Sequence, residues 1–273
     1  MNDLSAPALV TAVEENLFEY YKLFRQWTRV EVHDDKHMLW TLSDVPSPFF
    51  NNVLNAQIAP NEVDATIEVT ITRYRLRNAF INWWIGPATK PANLGMYLEQ
   101  HGFVHRGNPP GMAVDLLALN EGLPALPGLV IEQVSDVATL KQWCHVFSVG
   151  FGMRGSIEDP LIDLFTSIGL GDQFPIRHYI GWLDGKPVAT SQLFLGAGVA
   201  GIYDVATVPE ARQQGYGTAL TLAALLKARS LGYRVGILQS SEMGFGVYYR
   251  IGFREYCRLS RYIWMNRSWG IKR

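Results

Sequence analysis

The sequence predicts an α/β protein built on mixed sheets and divided into two tandem domains. Three observations carry this. Segments of helical and of strand periodicity alternate along the chain; residues 120–128, with Gly122, Pro124, Pro127 and Gly128, interrupt both periods; and beyond that break an apolar strand runs through a glycine-bearing loop into a helix. The 273 residues approach the length of two domains, and 48% apolar with 18% charged residues is ample for a buried core. The expected division is a first domain over 1–121, a linker over 122–128 and a second domain over 129–273.

In order, Val10, Val13, Leu17, Tyr20, Tyr21 and Phe24 recur at helical spacing beside Glu14, Glu15, Lys22 and Arg25, which predicts an amphipathic helix over 8–27. Strand-like runs follow at 30–33, 38–42 and 49–57. Asn61 is placed to cap a helix reaching residue 76, with Glu62 and Asp64 in its first turn. Residues 80–85 read as a strand, Pro91 opens a helix over 92–101 that stops at Gly102, and 112–119 is extended.

The second half begins with a strand at 129–134 and helices at 137–151 and 160–168, the first with Leu140, Cys144 and Phe147 on one face. Strands at 179–184 and 187–195 flank Asp184-Gly185-Lys186, a hairpin signal because Asp-Gly accepts positive φ. A strand at 201–208, a helix at 217–231, a strand at 234–239, a helix at 243–251 and an extended segment at 253–264 complete the order. The strand at 49–57 precedes Gly102-Phe103 by about fifty residues, as that at 201–208 precedes Gly252-Phe253, so both halves follow one plan. Helix-Gly-Phe-strand is also a common way to end a helix.

Several function classes are disfavoured. A net charge of −1 without a long basic run provides no footprint for nucleic acid or an anionic membrane. Cys144 and Cys257, too few for a disulfide framework and without C-x-x-C spacing, are expected as free thiols in a reducing compartment, the cytoplasm. The start of the chain lacks a basic segment followed by an apolar run, and no apolar stretch reaches the ~20 residues that cross a bilayer. His33 and His37 surround a predicted turn, so they read as surface residues, and no metal is expected. Trp83 and Trp84 point to opposite faces of a strand, as packing rings do. Asn266-Arg267-Ser268 matches a glycosylation sequon, which carries no weight without export.

The chemistry-bearing stretch is Val208-Pro209-Glu210-Ala211-Arg212-Gln213-Gln214-Gly215-Tyr216-Gly217, leaving a strand and entering a helix at Thr218. Successive N–H groups, a helix dipole and two glycines without Cβ atoms make an anion site suited to a pyrophosphate. It lacks the Gly-Lys-Ser/Thr ending of a P-loop and the third glycine of a dinucleotide fold. Taken alone, Gly215-Tyr216-Gly217 would read equally as a tight turn.

Arg212-Gln213-Gln214-Gly215-Tyr216-Gly217 resembles the R/Q-x-x-G-x-G/A segment of GCN5-related N-acetyltransferases, with Pro209 three residues before the arginine. Tyr248-Tyr249-Arg250-Ile251-Gly252-Phe253, beginning 31 residues beyond Gly217, resembles the family's Y-x-x-x-G-F. The resemblance spans about 129–264 and implies an acyl-CoA N-acyltransferase fold there. It implies that the loop from Arg212 to Thr218, chiefly the amides of Gln213, Gln214, Gly215, Tyr216 and Gly217, holds the CoA pyrophosphate. The backbone of Val205, Ala206 and Thr207 would pair with pantetheine, and Tyr248, favoured over Tyr249, would protonate the leaving thiolate. An amine acceptor must lose a proton, and Asp204 and Glu242 are the candidate carboxylates, each of which also suits a solvated or structural role. Ser240 and Ser241 stand beside them as substrate contacts or caps.

The first half departs from the pattern. Ala59-Pro60-Asn61-Glu62-Val63 replaces the phosphate loop without a glycine, and Leu98 stands where the tyrosine would be, so a related fold without CoA is expected. The resemblance thus implies N-acetyl transfer from acetyl-CoA, as co-substrate, to a primary amine through a ternary complex. A non-catalytic acyl-CoA-binding module, or a transferase using another acyl donor, is the alternative. Small amines, amino acids, antibiotics and protein lysines all stay open as acceptors, and oligomeric state is unread.

Overall fold

In the computed structural model, which describes residues 1, 3–122, 126–153 and 157–265, the chain forms thirteen strands in two mixed sheets and seven α-helices. The first part carries α1 (Ala6–Lys22), β1 (Val30–Asp34), β2 (Leu39–Ser43), β3 (Asn52–Leu54), α2 (Val63–Leu76), β4 (Ile81–Ile85), α3 (Leu94–Gln100), β5 (Val104–His105) and β6 (Pro110–Asp115). The second carries β7 (Leu129–Gln133), α4 (Val137–Gly150), α5 (Glu158–Ile168), β8 (Ile176–Leu183), β9 (Lys186–Gly196) and β10 (Val199–Thr207). It continues through α6 (Tyr216–Ser230), β11 (Val235–Gln239), α7 (Glu242–Ile251), β12 (Arg254–Arg258) and β13 (Ser260–Trp264). The sheets run β1-β2-β3-β4-β13-β5 and β12-β6-β11-β10-β9-β8-β7.

The compact units cut the chain elsewhere than at 122–128. A large unit comprises Met1–Tyr20 and Gly111–Tyr256, and a small unit Tyr21–Pro110 and Cys257–Arg273. The reason is strand exchange. β6 pairs antiparallel with β11, from Val235↔Asp115 to Gln239↔Gly111, and Arg234 locks it with a bidentate ion pair to Asp115 at 2.5 and 2.7 Å. β13 pairs with β4 and β5 and completes the small sheet. The expected linker therefore joins β6 to β7 within the large unit; its residues 123–125, like the sequon at 266–268, lie outside the described residues.

Most predicted elements stand where periodicity put them, some with shorter ends and others, such as β8, β9 and α5, with longer ones. The helix expected over 8–27 stops at Lys22 and tightens into a 3-10 turn at Leu23–Gln26. The strand expected over 49–57 keeps only Asn52–Leu54, and α2 starts at Val63 with Glu62, not Asn61, before it. The strand at 112–119 ends at Asp115, whose carboxylate accepts from Leu117 N at 3.0 Å and opens a 3-10 turn. The extended run 253–264 divides at Leu259 between the two sheets.

In the small unit, Ile67, Ile71, Ile81, Trp83, Leu94, Leu98 and Phe103 form the core, and the Tyr74 hydroxyl donates to Thr41 O and Asn52 O at 2.8 and 2.9 Å, tying α2 to the sheet. Trp83 is a packing ring, as expected; half-buried Trp84 donates Nε1 to Asn52 Oδ1. In the large unit, Leu193, Ile202, Leu220, Leu225, Leu238 and Phe253 pack between sheet and helices. The β8–β9 hairpin turns on Asp184 at φ 49° and Gly185 at φ 75°, the two positive angles its sequence predicts. Gly236 is required by packing: a Cβ there would meet Leu225 at 2.8 Å.

Candidate active site

The site begins with two parallel strands that part. β10 pairs with β11 only at Ala200↔Gly236 and Gly201↔Ile237. Beyond Tyr203 a bulge shifts its register with β9, with Asp204 at φ 52°, and the strand continues bonded to β9 alone. The gap forms a cleft of about 1000 Å³ lined by Val205, Ala206 and Thr207, by the loop before α6, by α7, and by Gly150-Phe151-Gly152 at the end of α4. In the small unit the corresponding parallel pair, β3 and β4, does not open. After Asn52↔Asn82 and Val53↔Trp83 it is closed by Lys90 N donating to Ala56 O at 2.8 Å and Ile58 N to Lys90 O at 3.0 Å.

The loop is built as an anion cradle. Gln213 (φ 63°) and Gly215 (φ 89°) turn the backbone, and α6 starts at Tyr216 without a side-chain cap. Among the described residues the amides of 213–218 have no acceptor, and Gln213, Gly215, Tyr216, Gly217 and Thr218 line the cleft at the N-terminus of α6. Gly215 is needed for its φ. At Gly217 a Cβ would meet only ordinary contacts with Thr207 and Val205 at 3.5 Å, so this glycine relieves no clash and leaves the cleft wall open.

The sequence-predicted residues divide in the structure. Val205, Ala206, Thr207, Arg212, Gln213, Gly215, Tyr216, Gly217, Thr218 and Tyr248 come together at the cleft. Arg212, however, is occupied structurally: Nε donates to Thr207 O at 3.2 Å and Nη2 to Gly150 O at 2.7 Å, so it fastens loop, β10 and α4. Gln214 is exposed and does not line the cleft. Glu242 is also corrected: as the exposed first residue of α7 it lies off the cleft, because Ser241 takes the cap position, its Oγ accepting from Gly244 N at 3.1 Å, and Met243 and Gly244 line the cleft instead. Ser240 donates to Ser241 O at 2.7 Å.

Tyr248 stands on the cleft wall with its ring edge-on to Phe253 (5.9 Å) and close over Gly244, where a Cβ would meet it at 2.8 Å. Its hydroxyl has no hydrogen-bond partner among the described residues, and burial holds its pKa above the ordinary phenol value, so the proton stays on the oxygen. Tyr249 turns outward under Arg254, 4.3 Å from the ring centroid.

Asp204 does not line the cleft. Its Oδ2 is sealed without a partner, and burial pushes the carboxyl pKa up to about 7. Beside it, burial chiefly, with Glu158 and Asp204 adding, raises the Cys144 thiol. Among the described residues the charged ones lining the cleft are Arg212 and Arg250, and Arg250 has no acidic partner there. Sequence reasoning missed Arg250 and Gly150-Phe151-Gly152, whose place depends on how helix ends far apart in sequence converge. Position 250 lies inside the second motif, and its cationic side chain was the available signal. No group of three or more His, Cys, Asp or Glu is arranged for a metal among the described residues, and no described helix is long and apolar enough to cross a membrane.

Residues 140–253 match the model of the acetyltransferase (GNAT) family. Among solved structures, the chain is similar to a GCN5-related N-acetyltransferase from Kribbella flavida, at TM-score 0.70 and 18% identity over 92% of this chain and 94% of that one. A GCN5-related N-acetyltransferase from Sphaerobacter thermophilus gives 0.63 and 13% over 95% and 91%. A tandem GNAT protein from the clavulanic acid biosynthesis pathway gives 0.58 and 14% over 87% and 84%. At these identities the likeness is one of fold. No curated protein matches the sequence.

Proposed function

We propose, for a chain with the tandem GNAT fold and a GNAT acetyltransferase domain over 140–253, that it transfers an acetyl group from acetyl-CoA to a primary amine. The observation that carries this reading is the run of acceptor-less amides at 213–218, opening on a cleft between parted parallel strands. In this reading the amides hold the pyrophosphate, Arg250 adds positive charge beside it, and pantetheine follows the unpaired edge of Val205, Ala206 and Thr207. The closed β3–β4 pair supports a small unit without CoA.

The amine nitrogen attacks the thioester carbonyl, the C–S bond breaks, and the thiolate takes the Tyr248 hydroxyl proton; the phenolate recovers one from solvent. Asp204, kept short of full ionisation near neutral pH, receives the amine proton through water. No covalent enzyme intermediate is involved, so mass spectrometry after mixing with acetyl-CoA alone should show unmodified protein.

The test is a calorimetric titration with acetyl-CoA, repeated with Gly215→Glu, followed by turnover on an amine panel. One site per chain, abolished in the variant, with turnover on the panel, is the expected result. A folded wild-type chain that does not bind overturns the reading. The absence of a carboxylate on the cleft lining among the described residues favours one second reading, an acyl-CoA-binding module without chemistry, which binding without turnover on any amine would identify.

A further inference from the structure

We propose that Asn16 and Tyr20, on the first helix of the chain, are positioning residues for Asp204, holding the β10 bulge that carries its carboxylate. The inference rests on the reading of Asp204 as the proton acceptor. A non-glycine residue at φ 52° inside a strand carries a backbone cost that the surrounding contacts must offset. On one side, Thr190 Oγ1 donates to Asp204 O at 2.9 Å. On the other, the preceding residue, Tyr203, is held from α1: its ring lies flat on Tyr20 (4.6 Å between centroids, 9° between planes) and its hydroxyl donates to Asn16 Oδ1 at 2.8 Å.

Asn16 is itself immobilised. It is fully buried, and its Nδ2 donates to Gly196 O at 2.8 Å at the end of β9. A backbone carbonyl can only accept, so the amide nitrogen must face Gly196 and the oxygen is left for Tyr203. The strand is shaped to this side chain: a Cβ on Gly201 would lie 2.1 Å from Asn16 Oδ1. One turn on, Glu19 accepts a short hydrogen bond from Ala197 N, so α1 also grips the β9–β10 turn. Burying a polar amide between two strands gives no more apolar burial than a leucine would. What it adds is a fixed direction, and that direction ends on the residue next to Asp204.

The full-length Asn16→Ala, Tyr20→Leu and Tyr203→Phe proteins, and each combined with Asp204→Asn, are compared in acetyl-CoA Kd and in kcat on the best amine of a panel. Crystal structures of the Asn16→Ala and Tyr203→Phe proteins accompany the kinetics. Expected are losses of about tenfold or more in kcat with acetyl-CoA Kd within about twofold, no further loss in the Asp204→Asn background, and a bulge that relaxes from positive φ. An unchanged acetyl-CoA Kd also certifies that each variant is folded, and Tyr203→Phe, which removes one oxygen atom, serves where Asn16→Ala does not fold.

Losses that add to that of Asp204→Asn, or a bulge and carboxylate unmoved in the crystals, overturn the proposal. If the α1 variants keep full kcat while Asp204→Asn loses it, positioning fails and the base assignment stands. If Asp204→Asn itself keeps wild-type kcat, the base assignment fails and the proposal with it. Should no amine turn over, the crystal structures decide, since an unmoved bulge refutes the clamp without any activity.

Discussion

The guanidinium of Arg212 donates to the carbonyl of Gly150 at 2.7 Å, across 62 residues of chain, and with its second bond to Thr207 it staples the loop before α6 to the two elements that wall the cleft. Arg212→Lys offers one donor nitrogen where the guanidinium uses two spaced ones, Nε and Nη2, so the pair of bonds is not kept in its present geometry. The loss should be about 1–2 kcal/mol in urea unfolding, with acetyl-CoA affinity falling severalfold. Because the group touches carbonyls and not phosphate, the salt dependence of acetyl-CoA binding should keep its slope in the variant. A flattened slope would assign Arg212 to the ligand.

Arg250 is the opposite case, a cleft-lining cation with no acidic partner among the described residues. Arg250→Ala should weaken acetyl-CoA binding by about tenfold at low salt, with the difference shrinking at high salt as screening sets in. Titrations at two ionic strengths check this; equal loss at both would indicate a packing role.

Tyr248→Phe removes an oxygen with no protein partner, so acetyl-CoA affinity and stability should barely change while kcat falls by about 10–100-fold. Burial keeps the hydroxyl protonated across the assay range, so no alkaline limb from this group should appear in a pH–rate profile below pH 10. Steady-state rates with equilibrium binding separate the two quantities.

Asp204 titrates near 7, so kcat/KM should rise with pH up to about that value as the carboxylate loses its proton. Its effect on stability has the reverse sign. Between the unfolded carboxyl value and about 7, the folded state keeps a proton that the unfolded state has released, so stability falls as pH rises through that window. Asp204→Asn should therefore stabilise the protein at pH 8 by on the order of 2 kcal/mol, with a much smaller effect at pH 4, while lowering kcat. Urea unfolding at the two pH values measures the difference.

His178 works in the other direction. Enclosed between Trp143 and Phe165, with a ring nitrogen 3.0 Å from Gln192 Nε2, it is held neutral by burial to a pKa of about 3. The unfolded chain takes up that proton first, so wild-type stability should fall as pH drops from the ordinary histidine range toward 3. In His178→Phe the part of that acid slope owed to this residue should vanish, whatever the variant's stability at pH 7.

What the sequence by itself determined was local. The glycine-bearing loop that enters α6, the Asp184-Gly185 turn, the Gly252 helix end and the position of Tyr248 on α7 each follow from backbone preferences within a few residues. The absence of a phosphate loop at 59–63 was equally visible. Tertiary structure alone decided the rest. Glu242 and Asp204 were read alike as candidate carboxylates for the amine proton, yet one is exposed off the cleft and the other sealed into a bulge, because cap geometry and strand register set where each side chain goes. Which segments belong together, with β13 completing the small sheet, β6 the large one and α1 packing on β10, is settled by hydrogen bonds and buried contacts between residues more than a hundred positions apart. Periodicity records which face of a segment is buried; it carries no record of the partner that buries it.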